Sequence, residues 1–254
     1  MSTVRMDVSD GIAVILLDRP EVRNAVDRPT AEAISAAMDE LDNRADIRVG
    51  ILTGAGRIFS AGMDLKAFSA TGERPVTKNR GGFGIVETPP AKPLIAAVEG
   101  RALGGGFEIA LACDLIVAAE DAWFGLPEVK RGLVAAAGGV LRLPRRIPRS
   151  VAMELILTGE PVNAARAQEL GLVNKVAPPG TALAEARTLA TAIAANAPLA
   201  VRTAKLLADR SADWSTHEAF ELQAPYTDAV RSSNDAAEGA RAFVEKRAPL
   251  WTGT

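Results

Sequence analysis

The chain is predicted to adopt an α/β fold, and three observations carry that expectation. Short β-rich runs alternate with helical patterns through the first half of its 254 residues. The runs are almost uniformly apolar, as in strands covered on both faces. Beyond Gly138 the chain becomes mostly helical. Strand–helix alternation of this kind argues for βαβ units with right-handed crossovers.

The elements follow in order. Ile12–Leu17 reads as a strand, and residues 29–41 as a helix. Asp27 or Thr30 can cap that helix, Pro29 suits its first turn, and Ile34, Met38 and Leu41 share one face. Residues 49–53 and 93–98 are the next strands, and Leu115–Ala119 is another. Residues 67–90 break the rhythm with four glycines and three prolines. They are too long for an ordinary connection, and read as a mobile flap or a locally disordered segment. Asn163 can cap a helix over 164–170, with Gly171 at its C-terminal end. Residues 172–176 form a last short strand. From Ala182 onward three alanine-rich helical stretches are expected, broken near Pro198, Ser211 and Ser232.

Composition narrows the function. Apolar residues make up 48% and charged residues 24%, with a net charge of −2 and a pI near 5.6. No basic surface for nucleic acid or anionic membrane is implied. No run reaches membrane-spanning length, and no signal peptide is visible at the N-terminus. The single cysteine, Cys113, lies in an apolar run, which suits a reducing cytoplasm and a buried, unreactive role. With one histidine, His217, a histidine-based metal site is not expected, and no Gly-x-Ser-x-Gly elbow accompanies it.

Two glutamates stand out. Glu108 follows the triplet Gly104-Gly105-Gly106 and heads an apolar helix. Glu128 follows Pro127 in Phe124-Gly125-Leu126-Pro127-Glu128. A carboxylate at the head of an apolar run is costly without a partner or a purpose. The triplet sits at a helix start, where bare N–H groups and the helix dipole favour negative charge. Gly105 lets a substrate oxygen approach the backbone closely. The triplet does not fit a dinucleotide fingerprint, because Ile109 stands where its last glycine belongs. Two proton-transfer groups beside an oxyanion cradle suit the addition of water to an activated double bond, with no metal.

The chain resembles the crotonase family, the enoyl-CoA hydratase/isomerase superfamily. The resemblance rests on Arg19-Pro20 with Asn24-Ala25-Val26, on Phe59-Ser60-Ala61-Gly62-Met63-Asp64-Leu65, on the stretch from Lys92-Pro93 to Glu108, and on Phe124 to Glu128. It implies an α/β crotonase-type spiral of ββα units with a C-terminal helical trimerisation region, divided into a core of residues 1–196 and helices over 197–254. It also implies an acyl-CoA thioester substrate, no separate cofactor, and a homo-oligomer that is a trimer or a dimer of trimers. The backbone N–H of Met63 becomes the second oxyanion donor beside Gly105. Glu108 becomes the base that activates water for C3, and Glu128 the acid that protonates C2. Ala25, Ala61, Asp64 and Leu65 would border the coenzyme A channel, with Phe243 and Lys246 reaching the ligand of their own or a neighbouring subunit.

Retention of both glutamates implies an enoyl-CoA hydratase rather than an isomerase. Ala135 stands where hydratases of the family usually carry proline. Residues 138–144 and the ending Ala248-Pro249-Leu250-Trp251 are similar to carnitinyl-CoA dehydratases, so a lyase of that type, or an enoyl-CoA isomerase on the same scaffold, is the alternative. A non-catalytic acyl-CoA or RNA binder is the rival of another class; the charge pattern and the two retained acids speak against it.

Overall fold

The Asp10-Gly11 turn starts the fold. In the computed structural model, which describes residues 2–254, it turns β1 (Val4–Ser9) back antiparallel on β2 (Ile12–Leu17). The helix α1 (Arg28–Asn43) begins at Asp27, whose carboxylate accepts from the Thr30 N–H at 2.9 Å. β3 (Val49–Gly54) then pairs parallel with β2. The short α2 (Leu65–Thr71) and the hairpin β4 (Val76–Thr77) and β5 (Gly81–Gly82) follow.

The central segments come next: β6 (Leu94–Val98), β7 (Arg101–Leu103), α3 (Gly105–Ala112), β8 (Leu115–Ala119) and β9 (Trp123–Gly125). After them run α4 (Gly139–Arg146), α5 (Arg149–Thr158), β10 (Val162–Asn163), α6 (Ala164–Glu169) and β11 (Lys175–Ala177). The chain closes with α7 (Ala182–Ala194), α8 (Pro198–Ser211), α9 (Ala219–Arg231) and α10 (Asn234–Glu245).

The main sheet has the order β1-β2-β3-β6-β8-β11, parallel everywhere except at the β1–β2 pair. Both of its faces are covered, as the apolar runs require. Ala13, Ile15, Leu17, Leu52, Ala96 and Ile116 share one core with Ile34, Met38 and Leu41 of α1 and with α3. Ile12, Val14, Ile51, Ile95 and Val117 face the other way, onto α7. That helix offers Ala182, Ala186, Ala190 and Ala194, one small residue per turn, so it can lie close on the sheet. Each fully buried Ile or Leu here contributes about 1.5–3 kcal/mol.

Several expectations are corrected. A second sheet, β10-β9-β7, was not foreseen, because strands of two or three residues carry no readable period. The strand expected over 172–176 is β11 and starts at Lys175. Four helices follow Ala182 rather than three, since Pro198 starts a new helix at its first turn.

Residues 67–90 are neither a free flap nor without structure. Arg80 is buried and clamps the segment to α1, with Nε 2.8 Å from Asp39 and Nη2 2.9 Å from Asp42. It also donates to the Thr88 carbonyl at 3.0 Å. Arg80→Ala leaves these acceptors without their donor and should lower stability by about 1–3 kcal/mol in a urea titration. An unchanged midpoint would mean that the clamp contributes nothing.

Candidate active site

The two glutamates, twenty residues apart in the chain, meet because β7 and β9 are parallel neighbours. Ala102 pairs with Phe124 and Leu103 with Gly125. Each strand therefore releases its loop at the same end of the small sheet: Gly104-Gly105-Gly106 after β7, and Leu126-Pro127-Glu128 after β9. The Gly104 N–H donates to the Gly125 carbonyl at 2.9 Å and fastens the two exits together. The connection between the strands runs through α3 and then β8 of the main sheet, and α3 carries Glu108 in its first turn. Glu128 stands in a 3₁₀ turn, Pro127–Arg131, stiffened by the proline. A Cβ placed on Gly104 would lie 3.0 Å from Glu128 Oε1, so that acid points back at the glycine loop.

A third segment lies on the other side of β7. Ser60 bridges Ala102 in parallel, and the Leu103 N–H donates to the Ser60 carbonyl. Ser60 is fully buried; its Oγ donates to Asn24 O at 2.8 Å and accepts from the Gly62 N–H at 3.1 Å. Asn24 in turn donates to Ala55 O at 2.9 Å and Ile58 O at 2.7 Å. The Val26 N–H donates to Gly62 O, and Val26 O accepts from the Asp64 N–H. These bonds flank Met63 on both sides and leave its own N–H with no acceptor among the described residues. The Gly105 N–H, at the first turn of α3, has none either. The two amides belong to touching segments: a Cβ on Gly62 would lie 2.7 Å from Gly105 N.

Two unpaired amides thus accompany two carboxylates, one on α3 and one in the 3₁₀ turn, an arrangement with the means to receive an oxyanion and to move a proton. The sequence places this chain in the same group. The profile described as enoyl-CoA hydratase/isomerase matches residues 7–254. The chain belongs to the enoyl-CoA hydratase/isomerase family.

An enoyl-CoA hydratase from Mycobacterium marinum is 54% identical, with a TM-score of 0.98 and full coverage of both chains. A carnitinyl-CoA hydratase from Mycobacterium avium is 42% identical, with a TM-score of 0.79 and again full coverage of both. A carnitinyl-CoA dehydratase of Proteus mirabilis is 40% identical over 99% of this chain and 98% of its own length. The crotonase-type α/β architecture is shared with these structures.

The electrostatics of the family member's two acids differ. Every residue of α3 is buried, and Glu108 is 3% exposed. Burial pushes its carboxyl up to about 7; the Gly139 N–H, donating to Oε1 at 2.9 Å, opposes the rise, and the neighbouring Glu128 charge adds to it. Gly139 opens α4, so the positive end of that helix faces the acid. Glu128 is raised too, chiefly by burial. Its Oε2 is buried with no hydrogen-bond partner among the described residues, an arrangement that suits a ligand-facing group.

A raised carboxyl pKa has a consequence for stability. The stabilising contribution of Glu108 is complete below its unfolded pKa, near 4.5, and is lost as pH rises through about 7. At alkaline pH the ionised acid is a burden on the fold. Glu108→Gln keeps an oxygen for the Gly139 N–H and removes that burden. It should raise Tm by a few degrees at about pH 8 and by less at about pH 5. A uniform fall across both would show that Glu108 stabilises the native state.

Four of the residues expected along the coenzyme A channel come from one place in the fold. Ala25, Ala61, Asp64 and Leu65 lie together where the Val26 and Gly62–Asp64 backbones pair. Ala61 and Leu65 are exposed and Ala25 is buried. The Asp64 carboxylate is already occupied: it caps α2 through the Ala67 N–H at 3.0 Å and pairs with Arg19 at 3.1 Å. Phe243 and Lys246 stand exposed at the C-terminal end of α10, away from these four along the chain. Cys113 is buried with its thiol pushed up to about 12, and His217 is exposed just before α9. Sequence reasoning missed Ser60 and Gly139. Ser60 lay inside a motif at a position with no assigned meaning, and Gly139 acts through a backbone N–H.

Proposed function

We propose that the protein is an enoyl-CoA hydratase, catalysing reversible syn addition of water to a 2-enoyl-CoA to give a 3-hydroxyacyl-CoA. The observation that carries this reading is the gathering of one buried and one half-buried carboxylate with two unpaired amides on the segments that β7 joins. Glu108, with a pKa near 7, takes a proton from water as the oxygen bonds to C3. The C2–C3 π electrons shift toward the thioester, and negative charge gathers on its oxygen. The Met63 and Gly105 N–H groups receive that charge, each worth about 3–4 kcal/mol by analogy with a single oxyanion donor. Glu128 delivers its proton to C2 as the thioester carbonyl re-forms. Delivery of both fragments from one side makes the addition syn. The proton returns from Glu108 to Glu128 through the next water between them. The acids supply the proton transfers, so the proposal needs no cofactor beyond the coenzyme A of the substrate.

Carnitinyl-CoA dehydration is the second reading, favoured by the names of the 40–42% identical relatives. We place hydration first on the 54% identity to enoyl-CoA hydratases. The test mixes purified protein with crotonyl-CoA, with crotonobetainyl-CoA and with a 3-enoyl-CoA. Loss of the conjugated thioester absorbance with crotonyl-CoA is expected. Turnover of crotonobetainyl-CoA alone moves the assignment to the dehydratase, and a double-bond shift alone moves it to an isomerase.

The exposed apolar side chains of Phe220, Phe243, Val244 and Leu250 support a homo-oligomer, a trimer or a dimer of trimers, joined through the 197–254 helices. No helix of the described residues is long and apolar enough to cross a membrane. The reducing cytoplasm is the compartment we propose, from the single buried thiol.

A further inference from the structure

Phe83 holds a backbone conformation that bulky side chains avoid. Its φ is +53°, yet the residue is 6% exposed and built into the core. A left-handed Phe is a genuine outlier, and such outliers cluster where a site depends on them. The surroundings force it. The Phe83 N–H donates to Pro75 O at 2.6 Å. Gly84 is pressed so closely on α1 that a Cβ would lie 2.1 Å from Ala31 O. Two residues further on, the Arg142 guanidinium donates to Val86 O.

What this turn holds in place is the ring. A Cβ on Gly105 would lie 2.1 Å from Phe83 Cζ and 2.6 Å from Cε2, so the ring edge rests on the Gly105 backbone. Gly105 carries one of the two unpaired amides, and Glu108 stands one helical turn along α3. Next to Phe83, a Cβ on Gly82 would lie 3.4 Å from Ala137 Cβ, and the Ala137 backbone also faces Glu108. Phe83 therefore touches the Gly105 end of the site directly, and its Glu108 end through Gly82 and Ala137.

We propose that Phe83 sets acyl-chain specificity: its fixed ring closes the acyl end of the site, so the enzyme takes short 2-enoyl groups and rejects long ones. This rests on the acyl-CoA reading above.

The test compares kcat/KM on crotonyl-CoA and on 2-decenoyl-CoA for the wild type and Phe83→Ala, alongside calorimetric binding of butyryl-CoA and decanoyl-CoA. The wild type should prefer the short substrate. Phe83→Ala should shift the long-to-short ratio by roughly tenfold or more toward the long chain, in turnover and in binding alike. Phe83→Leu, which keeps most of the packing, should move the ratio in the same direction by less, and it stands in if the alanine variant does not fold. An active wild type whose ratio is unchanged in both variants overturns the proposal. A wild type that turns over no enoyl-CoA, but whose decanoyl-CoA binding rises in the variant, sinks the hydratase reading and keeps the role of the ring. Absence of any acyl-CoA binding sinks both.

Discussion

Glu108→Gln and Glu128→Gln should each lower kcat on crotonyl-CoA by about 10²- to 10⁴-fold, the range a positioned acid or base supplies. The fold survives both changes. Glutamine matches glutamate in shape, Oε1 of residue 108 keeps its bond from the Gly139 N–H, and Glu128 Oε2 has no hydrogen bond to lose. The losses should not add. Water activation at C3 and protonation at C2 belong to one addition, so the double variant falls little below the worse single one. The pH profile tells the two roles apart. In the wild type, kcat/KM should rise with pH through about 7 as Glu108 ionises. Glu108→Gln should erase that limb. Near-normal turnover in either variant breaks the role assignment.

Gly62→Ala should lower kcat by about 10²- to 10³-fold, comparable with losing one oxyanion donor. The added methyl would sit 2.7 Å from Gly105 N and 3.1 Å from both Gly105 Cα and Leu103 O. All three are backbone atoms on the neighbouring segment, so nothing flexible can give way. The Met63 and Gly105 amides must move apart, and a cradle preorganised for one oxygen no longer fits it. Gly62 also holds φ at +85°, which costs an alanine about 1–2 kcal/mol by itself. Gly72→Ala isolates that second effect. Gly72 has a similar φ of +71° with nothing within 4 Å of the new carbon, so it should lose stability without losing turnover. Equal activity in the two variants would mean that the amide pair does not hold the reacting oxygen.

Legibility followed length and period. Ile12–Leu17, the α1 face of Ile34, Met38 and Leu41, and the Asp27 and Asn163 caps were readable because they depend on neighbours in sequence. β7, β9 and β10 were not, since two or three residues cannot display alternation. Yet those short strands align the loops of Glu108 and Glu128. Residues 67–90 read as a flap or a disordered segment for a related reason. Their glycines signal unusual backbone angles, and only the structure shows Arg80, Phe83 and Val86 turned inward.

By itself, the sequence decided the residue types: two carboxylates after glycine- and proline-marked turns, a glycine at one of the two bare amides, and an α/β scaffold beneath them. Local chemistry is enough for that. Tertiary structure alone decided that Ser60, Val26 and Gly139 use their hydrogen bonds to aim those groups, that burial brings Glu108 to about 7, and that a strained phenylalanine stands over Gly105. Dielectric surroundings and contacts between distant segments come into being only when the chain closes on itself.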